Sequence, residues 1–506
     1  MRAMTDRSPS PPIRIVVLGG GTAGWMAACL FAHEWPQARV TVIESPDIGI
    51  IGVGEGSTPQ LRALFAKLGI AEADWMPAAN ATYKVGIAFT GWSERPGYGR
   101  YFHPFASAVD LHTEPQFHAS ARARRTGRDV PAHPDRFFLN SRLAERGFVP
   151  LAPDNFPFEV GYGYHFDAHL VGQVLARRAA ELGVEHRQDR VVEVAVGEDG
   201  QVSHLLTDGG EAIAGDLFVD ASGFRSVIAQ AALGGKFLPF ASNLFNDRAV
   251  VMPTPNGDEL NPYTTATALS AGWVWHIPLT SRAGNGYVYS SRYIDPDHAE
   301  TELRRHLGTL DDPTPARHLE MKVGRVERSW TGNCLAIGLA QGFIEPLEAT
   351  ALHIVQATVE GFIQAYADGG FTPQHRDVFN RTIARRYEGI RDYIVCHYRL
   401  NRRTDTQYWR DAATLADLSD DLKAVMTCWF TGGDLPAEVH RLDIARYYAP
   451  MSWGCLLAGY GTFPADEKLR PAPPPADLAS LDRLLDGCLL NFRSHAQALG
   501  SLRASA

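Results

Sequence analysis

Apolar residues follow two rhythms along this chain. Residues 13–18 (IRIVVL) form a short β-branched run, the pattern of a strand buried in a parallel sheet. The run passes into Gly19-Gly-Gly-Thr-Ala-Gly24 and then into residues 25–30, which read as a helix. A second strand, residues 40–43, ends at Glu44. Alternation over residues 83–92 predicts a strand with Tyr83, Val85, Ile87 and Phe89 on one face. Lys84, Gly86, Ala88 and Thr90 fall on the other face, where small residues leave room around the ammonium group. Residues 250–295 read as antiparallel sheet, with a turn at Gly284-Asn-Gly286 between strands 273–279 and 287–290. Trp273, Trp275 and Ile277 share one face of the first of these. From about Glu348 helices dominate, among them residues 352–366 and 381–398. A Pro-rich break at 471–475 precedes a last amphipathic helix, and residues 501–506 are expected to fray.

With 506 residues, 45% of them hydrophobic, the chain suits two intimately packed modules. The expected division is a disordered N-terminus at 1–12, an FAD-type module with an interleaved sheet at 13–370, a mainly helical module at 371–500, and the tail. A net charge of -9 without any Lys/Arg run argues against a nucleic-acid partner. No apolar run has the length of a membrane span, and residues 1–12 lack the apolar core of a signal peptide, so a soluble, cytoplasmic protein is expected. The six cysteines are scattered without metal-ligand spacing and read as buried, reduced thiols. Nothing in the composition speaks for or against a homodimer.

Strand, glycine loop, helix, strand and acid together make the full dinucleotide fingerprint. Gly19 permits the tight turn, Gly21 lets backbone approach a pyrophosphate, and Gly24 allows close helix–strand packing; Thr22 and Ala23 complete the loop. The helix N-terminus favours phosphate charge, and Glu44 can accept from a ribose hydroxyl. This unit alone does not separate NAD from FAD. Two later segments favour FAD: residues 216–223, a strand ending in small residues, and residues 333–342, a strand expected to deliver Gly338 and Gly342 to a helix start. The fold class expected is therefore α/β. A Rossmann-like, glutathione-reductase-type FAD module with antiparallel sheet would pack on a mainly helical C-terminal module.

Four motifs coincide: GGGTAGW at 19–25, GVGEGST at 52–58, WVWHIP at 273–278 and PLEAT at 346–350. Together they resemble the flavin-dependent tryptophan halogenase family, over residues 13 to about 461. The WxWxIP element is the most specific, because ordinary flavin hydroxylases lack it. Residues 387–394, 397–398 and 405–409 extend the match. The resemblance implies an enzyme that makes hypohalous acid from a flavin hydroperoxide and chloride or bromide. A separate NADH-dependent flavin reductase would supply FADH2.

On this resemblance Lys84 is the essential lysine, which hydrogen-bonds the hypohalous acid or becomes a haloamine; the strand by itself equally fits a surface lysine on an edge. Glu348 matches the carboxylate that polarises the oxidant and stabilises or deprotonates the ring cation. Pro346 suits a first helical position, which would put Glu348 in the first turn of the following helix, where the dipole alone explains an acid. Glu55 and Gly56 join the cofactor residues. The amides of Thr350 and Ala351 match a halide site. The family pattern has glycine where Ala351 stands, and alanine restricts φ there. The resemblance implies that His103, Phe105 and Pro346 line the substrate and that Trp273, Trp275 and Ile277 wall it off from the flavin; a satisfied core histidine and a plain core strand are the competing readings.

Free tryptophan needs partners for its ammonium and carboxylate. The stretch 431–451, ahead of a matching segment at 452–459, is short and falls out of register with the family's lid. Glu438, Tyr447 and Tyr448 are the candidates there, and a solvated helix face explains them as well. Indole or an indole derivative is therefore favoured over free tryptophan. An aromatic hydroxylase and a non-catalytic flavin-binding protein are the other readings.

Overall fold

The computed structural model describes residues 12–47, 54–257, 260–475 and 477–505. The expected N-terminal segment 1–12 and the Gly52-Val53 part of the second motif lie almost wholly outside them.

A six-stranded sheet organises the N-terminal half. Its order is Trp330–Thr331, Cys334–Ala336, Leu217–Asp220, Arg14–Leu18, Arg39–Glu44 and Glu185–Gln188. All pairs are parallel except the Trp330–Thr331 hairpin. The core side chains of Arg14–Leu18 are buried on both faces, as its unbroken apolar run requires. Leu18 lies opposite both Asp220 and Ile43, and Asp220 opposite Ala336. Several strands thus end at one edge, and their following loops converge there. The first helix, Thr22–Glu34, is buried on nearly every side because two further helices, Ala168–Glu181 and Ala351–Asp368, pack against it.

A second, seven-stranded sheet has the order Arg317–Glu320, Arg248–Thr254, Ala283–Tyr289, Gly272–Pro278, Thr264–Leu269, Gly86–Thr90 and Arg100–Pro104. It is antiparallel except where Thr264–Leu269 runs beside Gly86–Thr90. The turn expected at Gly284–Gly286 is not there. Both glycines sit inside the Ala283–Tyr289 strand, and the chain reverses at 279–282. The reason is steric: a Cβ on Gly286 would lie 2.1 Å from the Trp275 ring, so this glycine makes space for an indole across the ladder.

The strand expected over 83–92 is two strands, and Gly91 and Trp92 lie beyond both. Thr82–Lys84 belongs to a small sheet with Gly163–Phe166 and Glu55–Gly56, whereas Gly86–Thr90 belongs to the large one. At the break Val85 turns away from Tyr83, Ile87 and Phe89 and packs with Ala88, Phe102 and Ala144. Alternation therefore does not run through Val85. Gly86 is small because Phe102 and the His103 carbonyl press on it, not to make room for Lys84.

One apolar cluster runs from Ile13 to Leu499 and includes the helices Arg376–Arg399 and Pro450–Gly459. The tail expected to fray continues as the helix His495–Ser505, with Leu499 buried and Leu502 packed on the same cluster. Five of the six cysteines are buried and Cys428 is half-buried; all are free thiols. Among the described residues no helix is long and apolar enough to cross a membrane.

Candidate active site

The loops at the sheet edge form a cradle. Gly19 has φ +119°, and a Cβ on it would meet the Ala221 carbonyl at 2.3 Å. A Cβ on Gly24 would meet the Gly19 carbonyl at 1.9 Å, which is the close helix–strand contact this position requires. Above Gly21, by contrast, no atom lies within 4 Å of a Cβ position, and the same holds at Gly223. The open ground thus lies at the N-terminus of Thr22–Glu34, where first-turn amides have no helical acceptor. Ala23 faces Gly338, whose φ is +57°. The Thr22 hydroxyl is used internally, donating to the Ala168 carbonyl. Glu44 folds over Gly20 and lies 2.9 Å from His186 Nε2. Glycine loops open to solvent beside free amides fit a dinucleotide cofactor.

Gly342 departs from expectation. It starts no helix but pairs with Arg325 in a two-residue strand, with the Gly324 carbonyl 2.6 Å from where a Cβ would be. Glu55 and Gly56 pair with Gly163–Phe166. Burial, then the charge of Asp167, pushes the Glu55 carboxyl up to about 7.

Gly56 matters for a second reason. A Cβ there would fall 2.9 Å from Lys84 Nζ, so its missing side chain is the space the lysine occupies. Lys84 is fully buried, which removes the surface-lysine reading. Its Nζ has no hydrogen-bond partner and lies 5.4 Å from the Phe105 ring centroid. Leaving an ammonium unpaired away from water is costly, so burial pushes this amine down to about 7, with the Glu348 charge opposing.

Glu348 is placed by a turn the sequence pattern hides. Pro346–Glu348 is a separate 3-10 turn; Ala349 then takes φ 55°, and the helix Ala351–Asp368 begins only afterwards. Glu348 is therefore outside that helix, not in its first turn. The left-handed residue is Ala349, and Ala351 is the first helical residue. Alanine at 351 therefore meets no steric conflict and keeps its amide at the helix N-terminus, beside Thr350.

Two histidines hold the Glu348 carboxylate. His103 Nδ1 lies 3.0 Å from Oε2, and His397 Nε2 lies 3.1 Å from Oε1. His397 Nδ1 in turn lies 2.8 Å from the Tyr460 hydroxyl. Burial alone would raise the carboxyl, but the charge and hydrogen bond of His103 and the same from His397 outweigh it and hold it at about 2. Burial lowers His397, with Glu348 opposing. Glu348 is thus an oriented, ionised carboxylate within electrostatic reach of an amine whose charge burial disfavours.

Trp273, Trp275 and Ile277 are all buried. The Trp273 indole N–H donates to Glu345 at 2.8 Å, and the same oxygen accepts from Tyr398 and Asn246 at 2.5 and 2.9 Å. His397, Tyr460 and Glu345 are the members of the site that sequence reasoning missed. For Glu345 a signal existed: it stands three residues before Glu348 across Pro-Leu, in the most chemically loaded motif of the chain. His103 is buried against Glu348, Phe105 is half-buried beside Lys84, and Pro346 is half-buried at the start of the turn that carries Glu348. Of the three lid candidates, only Tyr448 reaches this region, stacking on Tyr393 with centroids 3.6 Å apart. Glu438 pairs with Arg441, and Tyr447 lies over Gly389.

The Rossmann-type glycine cradle defines a dinucleotide-binding protein, one in which a buried lysine and an ionised carboxylate stand within electrostatic reach of each other. The chain belongs to the tryptophan halogenase family: the model of that family, described as tryptophan halogenase, matches residues 14–473. Tryptophan 6-halogenase SttH of Streptomyces toxytricini is 36% identical over 493 residues, covering 93% of this chain and 92% of its own. The 7-chloro-L-tryptophan 6-halogenase KtzR of Kutzneria sp. (strain 744) is 37% identical over 479 residues, covering 88% and 90%. The crystal structure of SttH superposes with a TM-score of 0.85 at 34% identity, over 98% of this chain and all of the other. BrvH, a flavin-dependent halogenase from Brevundimonas sp. BAL3, gives 0.83 at 34% identity over 97% and 100%.

Proposed function

We propose that this enzyme halogenates an electron-rich aromatic ring, indole or an indole derivative, using FADH2, oxygen and chloride or bromide. One observation carries the reading most: Lys84 Nζ is fully buried and without a partner, in the electrostatic reach of a carboxylate held ionised by two histidines. A structural lysine would be paired.

Gly19, Gly21, Thr22, Ala23, Gly24, Glu44, Gly338 and, more remotely, Glu55, Gly56 and Gly342 would hold the cofactor. Reduced flavin with oxygen supplies the oxidising equivalent that turns halide into hypohalous acid. Thr350 and Ala351 amides would hold the halide. Lys84 receives the hypohalous acid, either by hydrogen bond or as a haloamine, and both roles need an amine free of a competing carboxylate. Transfer of the halogen to the ring leaves a cation whose proton Glu348 accepts. His103 and His397 keep that carboxylate ionised and aimed. Trp273, Trp275 and Ile277 separate the ring from the flavin, which favours halogenation over hydroxylation. A separate flavin reductase would supply FADH2.

Free tryptophan is the second substrate reading, favoured by the printed activities of SttH and KtzR. That Glu438 is paired with Arg441 and Tyr447 is packed on Gly389 supports indole instead, because neither is left free for an amino-acid backbone. The test is mass spectrometry of an aerobic reaction with FAD, a flavin reductase, NADH and either indole or tryptophan, in chloride and in bromide. The expected product carries the matching halogen isotope pattern and is lost in Lys84→Ala, while FAD binding survives. Oxygenated product alone would mean a hydroxylase, and no turnover of any indole a non-catalytic flavoprotein.

A further inference from the structure

The tip of Lys84 is held by no hydrogen bond, so its position depends on the backbone that carries it. That backbone is a three-residue strand, Thr82–Lys84, at the edge of its sheet. Its inner side pairs with Gly163–Phe166, Tyr83 opposite Tyr164 and Lys84 opposite Gly163. Its outer side meets the segment 260–262. At Val85 the join is direct, the amide donating to the Pro262 carbonyl at 2.8 Å. Two residues earlier along the strand, a side chain from the far end of the chain makes the join. The Tyr83 amide donates to His495 Nε2 at 3.2 Å, and His495 Nδ1 donates to the Leu260 carbonyl at 2.8 Å.

This arrangement defines the state of the ring. A carbonyl only accepts, so Nδ1 carries the hydrogen; Nε2 receives an amide N–H, so it carries the lone pair. The imidazole is neutral and is used at both ends. It is itself anchored: the His495 amide donates to the Gly147 carbonyl, the Val149 amide donates to the Arg493 carbonyl, and Phe148 bridges Ser494. His495 is buried.

We propose that His495 is a positioning residue for Lys84. The last helix clamps the lysine strand against 260–262 through one imidazole and so sets where Nζ stands relative to Glu348. The proposal rests on the reading of Lys84 as the amine that delivers the halogen. A displacement of about 1 Å at a reacting group can cost about a hundredfold in rate, so a side chain remote from the chemistry can control it. The half-buried Glu72 accepts from the hydroxyls of Tyr83, Tyr162 and Tyr164 and so braces the same strand through the Tyr83 side chain.

The test compares the full-length protein with His495→Leu, which removes both hydrogen bonds, and His495→Gln, which keeps a donor and an acceptor. Hydrogen exchange over residues 82–85 reads the clamp without reference to catalysis, and indole halogenation under saturating FADH2 reads its consequence. In the unaltered protein the Tyr83 amide is expected among the slowly exchanging ones. His495→Leu should speed that exchange about tenfold or more, a single lost hydrogen bond. It should also lower kcat by tenfold or more with FAD affinity unchanged. His495→Gln should recover most of both. Rapid exchange at Tyr83 in the unaltered protein overturns the clamp and needs no variant to fold. Full halogenation by His495→Leu, or a Gln variant with restored protection but no restored rate, overturns the positioning role. Lys84→Ala runs alongside: if it still halogenates, the reading of Lys84 fails, while the exchange data still judge the clamp.

Discussion

Replacing Lys84 by methionine should make this protein more stable and inactive at once. The amine is pushed from 10.5 to about 7, chiefly by burial. Each unit is worth about 1.4 kcal/mol, so carrying the charge into the fold costs about 5 kcal/mol when both states are protonated. The sign follows from proton counts. Between pH 7 and 10.5 the unfolded chain binds the proton and the folded one does not, so stability rises with pH across that window. Below pH 7 the whole penalty applies; at pH 8.5 about 3 kcal/mol remains, and at 10.5 essentially none. Methionine has similar length, no charge and no penalty. For 506 residues the unfolding entropy near the midpoint is about 1 kcal/mol/K. Lys84→Met should therefore melt about 5 °C above the parent at pH 6, about 3 °C above at pH 8.5, and level with it near pH 10.5. Scanning calorimetry of both proteins over that range, at one scan rate, isolates the lysine because every other group cancels in the difference. A difference in Tm that does not change with pH, or a variant that melts below the parent at pH 6, would refute the argument. Stability held back at a functional group is the expected trade of a reactive site.

Glu348→Gln keeps the shape but removes the charge and the proton acceptor; halogenation should fall by about a hundredfold or more in steady-state turnover, with FAD binding intact. Gly286→Ala drives a methyl to within 2.1 Å of the Trp275 ring. The strand cannot move, so the overpacked indole should cost about 1–3 kcal/mol, visible as a lower Tm. Ala351→Gly puts glycine at a helical position; it should cost about 0.5–1 kcal/mol and leave the chloride dependence of turnover unchanged. A large gain in halide affinity would show that φ at 351 matters after all.

Local chemistry along the chain was enough to place the cradle. Residues 13–24 form a strand, a glycine turn and a helix from neighbours alone, and Glu44 follows at the end of the next strand. The motifs that hold Lys84, Glu348, His103 and the WxWxIP segment were legible through their resemblance to the family and not through the local pattern, which left Lys84 equally a surface lysine. Their setting was not. Whether Gly286 turns the chain or makes room depends on the Trp275 ring across the ladder, which no window of sequence contains. The break at Val85 arises because Pro262 captures its amide and Phe102 its side chain. Ala349 adopts a left-handed backbone that its sequence disfavours, held by the carboxylate contacts of Glu348 on one side and the helix on the other.

The partners of the chemistry were the least legible part. His397 meets Glu348 and Tyr398 meets Glu345 only where the helix Arg376–Arg399 lies against the Pro346–Glu348 turn, Tyr460 arrives from the end of Pro450–Gly459, and His495 reaches Tyr83 across 412 positions of chain. Sequence periodicity reports which face of an element is buried, because burial of apolar area is a sum over one element at a time. It does not report which buried polar atom meets which, because hydrogen bonds are short, directional and made between elements far apart in the chain. The residue types that can do the chemistry were therefore present in the primary structure, while the ionisation of Glu348, the lowered basicity of Lys84 and the clamp behind it come from the packing of distant segments around them.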